Sequence, residues 1–377
     1  GRLSALTGRM TQSLVSEEEV TLPIYADDPI AAILAVPSRA RRIAAMFITL
    51  WLIMGYDMSF HKGQFAAAVN WVGYAITVDK QQIEVKIKAD FMSKLGQVTE
   101  ELLAKNFIKV RDLRSYTGKS THVSNLLVTW RPFLDSLWAA VAKTMPHTTA
   151  CDEDPHEHRP MKKSRSPSGT IWTKQVKGSL TWIQAFLSSS LGPLSRTWDL
   201  RYYWESSRLH FVLDASPYGV GGVLYEDGVP KEMFHDRLTE HDERIHQHKI
   251  GDSSGQQTWE KLTVLIAVRA WRNYWLPRKA AITVRSDNMS ALALAAKLKE
   301  TGKSHLISRE LALIYSAATF LPRYVEHLPG VVNVAADALS RLHDPSGRYH
   351  VPAELLHLQP TPLPLRTEVY YHTLATA

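Results

Sequence analysis

The sequence predicts a multidomain protein of the α/β and α+β classes, with a mixed five-stranded sheet and packed helices in its C-terminal half. Two observations lead to this prediction. Strand patterns come first between residues 205 and 345 and then alternate with helical patterns, which is typical of a mixed sheet covered by helices. Residues 89–144 carry a helical period instead. The length of 377 residues is enough for about two or three domains with their own cores.

Composition and charge narrow the class of protein. With 45% apolar and 21% charged residues, the chain is neither disordered throughout nor a collagen-like repeat. Its 44 Lys and Arg against 37 Asp and Glu give a net charge of +7, which favours polyanionic partners such as nucleic acid. The single cysteine, Cys151, excludes a disulfide framework. The longest apolar run, 43–56, is shorter than the roughly 18–20 residues of a membrane span, so we expect no membrane partner.

The first half of the chain predicts short strands followed by helices. An apolar hairpin is predicted over 22–34, with Asp27, Asp28 and Pro29 at its turn. The elements that follow are a helix at 38–55, strands at 69–78 and 83–87, and a helical region at 89–142. Residues 145–169 are rich in Pro, Ser, His and mixed charge, so they predict a flexible linker ahead of a helical segment at 180–191.

The second half carries the clearest pattern. Strands are predicted at 209–214, 219–225, 233–238, 282–286 and 323–327. Helices are predicted at 256–275, 290–299, 305–318 and 334–342. Between the third strand and the first helix, His241, His246 and His248 are interpreted as solvated loop residues. The segment after residue 343 has no clear period and is expected to be peripheral.

Four carboxylates fall where such a sheet would place a metal site. Asp214 ends the first strand and Asp287 ends the fourth, while Glu260 and Asp337 lie near the start of two helices. Acids that follow apolar strands point into the crevice at the strand ends. Mg²⁺ prefers oxygen ligands, and two ions about 4 Å apart need several shared carboxylates. One such acid alone is more often a surface carboxylate or a helix cap, so the prediction of two Mg²⁺ ions, with Mn²⁺ as an alternative, depends on the set of four.

The sequence around each acid resembles retroelement ribonuclease H domains. Residues 212–224 (VLDASPYGVGGVL) resemble the opening of these domains, 259–275 resemble the helix with their catalytic Glu, and 285–288 (RSDN) resemble the third acidic position. Residues 327–341 (HLPGVVNVAADALSR) closely resemble the C-terminal signature of gypsy- and DIRS-like elements.

This resemblance implies hydrolysis of the RNA strand of an RNA–DNA hybrid, with Asp214, Glu260, Asp287 and Asp337 as metal ligands. His327 lies ten residues before Asp337, a spacing that some family members use for a His near the leaving group, although a structural role is also open. Asn333 is predicted to cap the last helix. Gly219, Gly221 and Gly222 either admit a nucleic-acid backbone or form a β-bulge.

The first half resembles reverse transcriptases in the same order along the chain. Residues 24–28 (IYADD) resemble the Tyr-x-Asp-Asp motif, which implies that Tyr25, Asp27 and Asp28 belong to a polymerase site and that both acids bind Mg²⁺. Lys62 resembles a Lys near the triphosphate. Trp71 and Gly73, within 70–76 (NWVGYAI), resemble the primer grip, which implies contact with template–primer nucleic acid. Residues 113–118 and 130–134 resemble the thumb and connection.

The resemblance divides the chain into six segments. They are a partial reverse-transcriptase palm (1–88), a helical thumb and connection (89–144), a flexible linker (145–170), a connection segment (171–204), a ribonuclease H-like domain (205–345) and a tail (346–377). The 24 residues before Tyr25 do not resemble the upstream palm Asp or the fingers, so this chain alone is not expected to polymerise DNA. Two alternatives stay open, namely a catalytically idle nucleic-acid-binding fragment and a reverse transcriptase completed by another chain. The oligomeric state and the cellular compartment also stay open.

Overall fold

The structure is a computed structural model that describes residues 2–25, 28–144, 169–199, 208–277, 281–299, 304–318, 322 and 324–374. Most of the predicted linker, and Asp27 of the predicted hairpin turn, lie outside these residues. The chain divides into two compact units, Gly1–Lys88 and Ala89–Ala377. Among the described residues, we find no helix with the length and apolar character needed to span a membrane.

The first unit combines two helices with short antiparallel strands. Its helices are α1 (Arg2–Gln12) and α2 (Pro37–Ile53), and its strands are β1 (Val20–Thr21), β2 (Ile24–Tyr25), β3 (Asp28–Pro29), β4 (Ala32–Ile33), β5 (Ala68–Trp71), β6 (Tyr74–Val78) and β7 (Gln82–Ile87). The predicted hairpin is confirmed, because β2 pairs with β3 and β1 pairs with β4 around it. Strand β6 lies between β5 and β7 and is antiparallel to both. Val20, Ile43 and Phe47 form the buried core.

The second unit begins with a helical region. Its elements are α3 (Ala89–Leu103), β8 (Phe107–Lys109), α4 (Val110–Leu126), α5 (Arg131–Ala142), β9 (Thr170–Trp172), α6 (Lys177–Leu187) and β10 (Ser195–Asp199). Strands β8 and β9 form an antiparallel pair. Aromatic side chains hold α5 against α6, since the ring centroids of Phe133 and Phe186 are 5.4 Å apart. The predicted helical character of 89–142 is confirmed for most of this region, but strand β8 interrupts it.

The predicted mixed sheet of five strands is confirmed in the second unit. Its strands are β11 (Leu209–Ala215), β12 (Gly219–Glu226), β13 (Val229–Arg237), β14 (Ile282–Ser286) and β15 (Tyr324–His327). Their order is β13-β12-β11-β14-β15, in which β12 is antiparallel to both of its neighbours and β14 is parallel to β11 and β15. Strand β11 occupies the centre because its apolar residues Phe211, Val212 and Leu213 are buried on both faces of the sheet.

Six helices of the second unit accompany the sheet: α7 (Glu240–His246), α8 (Gln256–Ala270), α9 (Arg272–Trp275), α10 (Met289–Lys297), α11 (His305–Ala318) and α12 (Val334–Ser340). The helix predicted over 256–275 is broken at Trp271. The Trp271 ring packs against Phe211 and Phe234, with centroid separations of 4.9 and 5.1 Å, and this packing accompanies the break between α8 and α9. Helix α10 ends earlier than predicted because Leu298 adopts a left-handed conformation.

The solvated loop predicted around His246 is wrong, because residues 240–246 form α7. Thr239 and Asp242 start this helix with a reciprocal capping box. The His246 side chain is buried, and its Nε2 atom lies 2.9 Å from the Tyr371 hydroxyl. Burial lowers the pKa of His246 to about 4, so the imidazole is neutral at pH 7.

The tail is packed against the second unit, so the expectation that it is peripheral is wrong. Thr361 N donates to Met233 O in β13 over 2.8 Å. Further along the tail, the buried Arg366 guanidinium donates to both oxygens of Asp242, over 2.9 and 3.0 Å, and to Asp236 Oδ2 over 2.6 Å. The tail therefore contacts the edge strand β13 at Met233 and Asp236 and connects this strand to α7.

Replacing Arg366 by Ala should lower the free energy of unfolding by about 3–5 kcal/mol, because the substitution leaves the Asp242 carboxylate buried without its counter-ion. The matched control is Arg244→Ala, which removes an exposed pair between α7 and Glu368 of the tail and should cost less than about 1 kcal/mol. Urea unfolding measures both values. Equal losses in the two variants would contradict the role given to Arg366.

Candidate metal centre

Three of the four predicted acids come together at one end of the sheet. Strands β11 and β14 are parallel, with Val212 opposite Arg285, so Asp214 and Asp287 each lie two residues past the same pair. Helix α8 packs against β11 and brings Glu260 to them. Carboxylate oxygens of Asp214, Glu260 and Asp287 all lie within 4.8 Å of one another. The parallel pairing of two strands thus places two of the acids together, and one helix adds the third.

Burial makes this cluster electrostatically unfavourable without a cation. Asp214 and Glu260 are each 4% exposed. Burial raises the pKa of Asp214 to about 7, although a hydrogen bond from Ser340 opposes the rise, and the charges of Asp287 and Asp337 raise it further. Burial, together with the charges of Asp214 and Asp287, raises the pKa of Glu260 well above its ordinary value. A positive ion among these groups would favour the charged forms of Asp214 and Glu260.

The donor atoms at this position fit a hard divalent cation. Glu260 Oε1 accepts a hydrogen bond from Gln256 Nε2 over 3.0 Å, while Glu260 Oε2 is buried and has no hydrogen-bond partner among the described residues. A buried carboxylate oxygen without a partner is costly unless an ion or water satisfies it. The three acids offer only oxygen, which Mg²⁺ and Mn²⁺ prefer, and the group contains no thiolate or imidazole of the kind that binds structural zinc.

The fourth predicted ligand, Asp337, does not join the group of three. Its Oδ1 atom accepts a hydrogen bond over 2.6 Å from Nε of Arg341, the residue that follows α12. Its charge nevertheless acts on Asp214. Both members of the ion pair are more than one third exposed, and an exposed pair at this spacing contributes only about 0.3–0.5 kcal/mol. The pairing of Asp337 with Arg341 is thus weak.

Two glycines of β12 allow the backbone of α12 to pack closely against the sheet. A Cβ atom on Gly221 would lie 2.4 Å from Ser340 N and 2.8 Å from Ala336 O, both in the backbone of α12. A Cβ atom on Gly219 would lie 2.7 Å from Ser340 O. The close approach that these glycines allow is therefore the docking of α12 onto the sheet, which leaves no room there for the nucleic-acid backbone considered from the sequence.

Two polar residues at the site were not predicted as contacts of Asp214. Ser340 Oγ donates to Asp214 Oδ2 over 2.6 Å. Asn333, predicted as a helix cap, makes no capping hydrogen bond with its side chain. Its Nδ2 atom instead donates to Leu213 O over 3.1 Å and lies 3.4 Å from Asp214 Oδ1. In the sequence, these contacts are indicated only by the polar residues Asn333 and Ser340, which lie before and after the apolar part of α12.

His327 lies at the rim of the site. It ends β15 opposite Ser286, the residue before Asp287, and it is exposed. It does not belong to the group of three ligands found among the described residues. Its proposed part in the reaction therefore stays a prediction.

The predicted polymerase residues form no comparable cluster in the described part of the first unit. Tyr25 and Asp28 are exposed in the β2–β3 hairpin, Asp27 is outside the described residues, and Lys62 is exposed in a single 3₁₀ turn. Trp71 Nε1 donates to Asp28 O over 3.0 Å. Gly73 has a φ of 85° in the turn between β5 and β6, where the preceding Val72 also has a positive φ. The turn itself thus explains the glycine.

Comparisons with known proteins give only distant similarities. No protein-family model matches the chain, and no curated protein matches it. The chain is similar to ribonuclease H1 from the halophilic archaeon Halobacterium salinarum NRC-1, with 20% identity over 36% of this chain and 96% of that chain, and a TM-score of 0.27. It is also similar to the foamy viral protease–reverse transcriptase in complex with dsDNA, with 16% identity over 86% of this chain and a TM-score of 0.37.

A third similar structure is the native prototype foamy virus protease–reverse transcriptase, with 14% identity over 88% of this chain and a TM-score of 0.23. The chain spans 58% and 38% of the two foamy viral chains, which is less than two thirds of each. At these identities and TM-scores, the similarities do not establish a family for this chain.

Replacing Asp214 by Asn should stabilise the metal-free protein, because it removes one of three crowded carboxylates, and Asp214 is one of the two that are buried. The pKa of Asp214 is about 7 in the folded state and 3.8 ordinarily, so the folded state binds more protons between these values and its stability falls as pH rises through them. The free energy of unfolding of Asp214→Asn should therefore exceed that of the wild type by about 2–4 kcal/mol at pH 8, and by less at pH 5. Thermal unfolding in EDTA at both pH values measures it.

The matched control is Asp227→Asn, which removes an exposed carboxylate from the β12–β13 turn of the same sheet and should change stability by less than about 1 kcal/mol. Added Mg²⁺ should raise the melting temperature of the wild type more than that of Asp214→Asn. A loss of stability in Asp214→Asn at pH 8 would contradict the electrostatic account of the cluster.

Proposed function

We propose that this chain hydrolyses the RNA strand of RNA–DNA hybrids endonucleolytically and with Mg²⁺, as part of a retroelement reverse transcriptase. One observation carries the proposal: Asp214, Glu260 and Asp287 hold oxygens within 4.8 Å of one another, two of the acids are buried, and Glu260 Oε2 has no partner among the described residues. The resemblance of 327–341 to the C-terminal signature of gypsy- and DIRS-like elements supports the retroelement context.

The proposed chemistry assigns each acid a task. Asp214, Glu260 and Asp287 would hold a first ion, and Asp337, once released from Arg341, would help to hold a second. When bound, such ions activate the attacking water and stabilise the leaving oxygen of a phosphodiester. The burial of Asp214 and Glu260 keeps water away from their carboxylates and fixes where their charges lie. His327, exposed at the rim, is proposed to donate a proton to the leaving oxygen.

The proposed substrate is recognised mainly through its backbone. The net charge of +7 favours contacts with phosphates, which predicts strong salt dependence and little sequence preference. A 2′-hydroxyl on one strand is the feature by which a protein separates a hybrid from duplex DNA. For the first unit we infer binding of template–primer nucleic acid from the sequence resemblance alone. The structure adds no support for this binding, because Trp71 donates a hydrogen bond to Asp28 O and Gly73 occupies a turn position with positive φ.

Cleavage of a hybrid labelled on the RNA strand tests the proposed function. The wild type should cut the RNA strand in Mg²⁺ and stop in EDTA. Asp214→Asn should lose about 100-fold or more of the rate, as expected when a group that organises transition-state charge is removed. Asp227→Asn, the exposed control on the same sheet, should cleave like the wild type. Binding of the hybrid without cleavage would favour the idle fragment, and equal rates for wild type and Asp214→Asn would refute the assignment.

A further inference from the structure

We propose that Ser340 is a positioning residue for Asp214, an inference that rests on the proposed metal site. Ser340 Oγ lies 2.6 Å from Asp214 Oδ2, and both residues are buried. The two residues are 126 positions apart in the chain, so the contact exists only because α12 docks on the central strands. A side chain that holds a ligand carboxylate in place sets the geometry of the metal site before the ion arrives.

The Ser340 hydroxyl has two acceptors within reach but only one proton. Its Oγ atom lies 2.6 Å from Asp214 Oδ2 and 2.9 Å from Asp337 O, the carbonyl three residues earlier in α12. An ionised carboxylate is the stronger acceptor, and the shorter distance is also to the carboxylate. The proton is therefore donated to Asp214. Asn333 Nδ2 lies 3.4 Å from the other oxygen, so each oxygen of Asp214 faces a donor that belongs to α12 or to the residue before it.

The backbone of Ser340 is fixed to the same end of the sheet as Asp214. Ser216, two residues after Asp214, donates from its Oγ atom to Ser340 O over 2.8 Å. The absence of a Cβ atom at Gly221 lets Ser340 N approach β12 directly. Contacts with β11, β12 and the residue after β11 thus hold the carbonyl, the amide and the hydroxyl of Ser340 in place. In this arrangement Ser340 and Asn333 hold the two oxygens of Asp214, and a carboxylate oxygen of Asp214 lies within 4.8 Å of oxygens of Glu260 and Asp287.

The alternative role for Ser340 is to satisfy a helix carbonyl, as buried serines in helices often do. Ser308 in α11 provides the comparison within this chain. It is as completely buried as Ser340, and its Oγ atom donates to His305 O, also three residues earlier, over 3.0 Å. Helix α11 contributes no acid to the site. Ser308→Ala therefore removes the same kind of intrahelical hydrogen bond without touching a carboxylate.

The experiment compares Ser340→Ala and Ser308→Ala with the wild type in the full chain. Mn²⁺ affinity is measured by electron paramagnetic resonance, hybrid cleavage is followed as a function of Mg²⁺ concentration, and near-UV circular dichroism checks the fold. Ser340→Ala should weaken Mn²⁺ binding by about 10–100-fold, and its cleavage should recover as Mg²⁺ is raised. Ser308→Ala should match the wild type in both. The near-UV spectrum recorded without metal separates a positioning role from damage to the fold, because a variant that has lost only the positioning contact keeps the wild-type spectrum before any metal is added.

The outcomes separate this inference from the proposed function. If Ser340→Ala binds Mn²⁺ like the wild type, or if Ser308→Ala loses as much affinity, the role of Ser340 is refuted whether or not the hybrid is cleaved. If the wild type binds Mn²⁺ without cleaving the hybrid, the proposed function fails, while the affinities of the two variants still decide the role of Ser340. Absence of Mn²⁺ binding by the wild type overturns both.

Discussion

Three carboxylates whose oxygens lie within 4.8 Å of one another repel each other, and two of them are buried where water screens little of that repulsion. The surrounding fold has to supply the free energy that keeps them together. It does so with the parallel hydrogen bonds between β11 and β14 and with α8, which is buried along most of its length. Helix α12 completes the arrangement, because Gly221 lets it approach the sheet until Ser340 reaches Asp214. The acids thus depend on contacts between elements that are distant in sequence.

Elements outside the five-stranded sheet also pack against the helices that accompany it. Arg309 in α11 donates to Ser136 in α5 over 2.7 Å and lies 3.1 Å from Ser179 in α6, so the helical region before the sheet packs directly against a helix of the sheet. At the other end of the unit, the tail brings Arg366 to Asp242 in a buried ion pair. Both connections join parts of the second unit at positions away from the three acids.

The sequence alone predicted the helices and strands that carry their own hydrophobic period or their own local motif. The strands around Asp214 and Asp287 were predicted because apolar runs end at an acid, and parallel pairing then brings those ends together. The sequence alone did not predict contacts between residues that lie far apart in the chain. The bonds of Ser340 to Asp214 and of Arg366 to Asp242 span 126 and 124 residues, and nothing local marks them. The break at Trp271 accompanies the packing of its ring against Phe211 and Phe234, and a helical period does not reveal such packing.

The most direct test of the central claim is the position of a bound ion. Crystals of the full chain grown with Mn²⁺ should show an anomalous peak about 2.1 Å from oxygens of Asp214, Glu260 and Asp287, as expected for octahedral coordination by hard ligands. The same crystals of Asp214→Asn should lose the peak or show it much weakened. A peak elsewhere with these three carboxylates unliganded, or a full peak in Asp214→Asn, would contradict the account of this cluster as a metal centre.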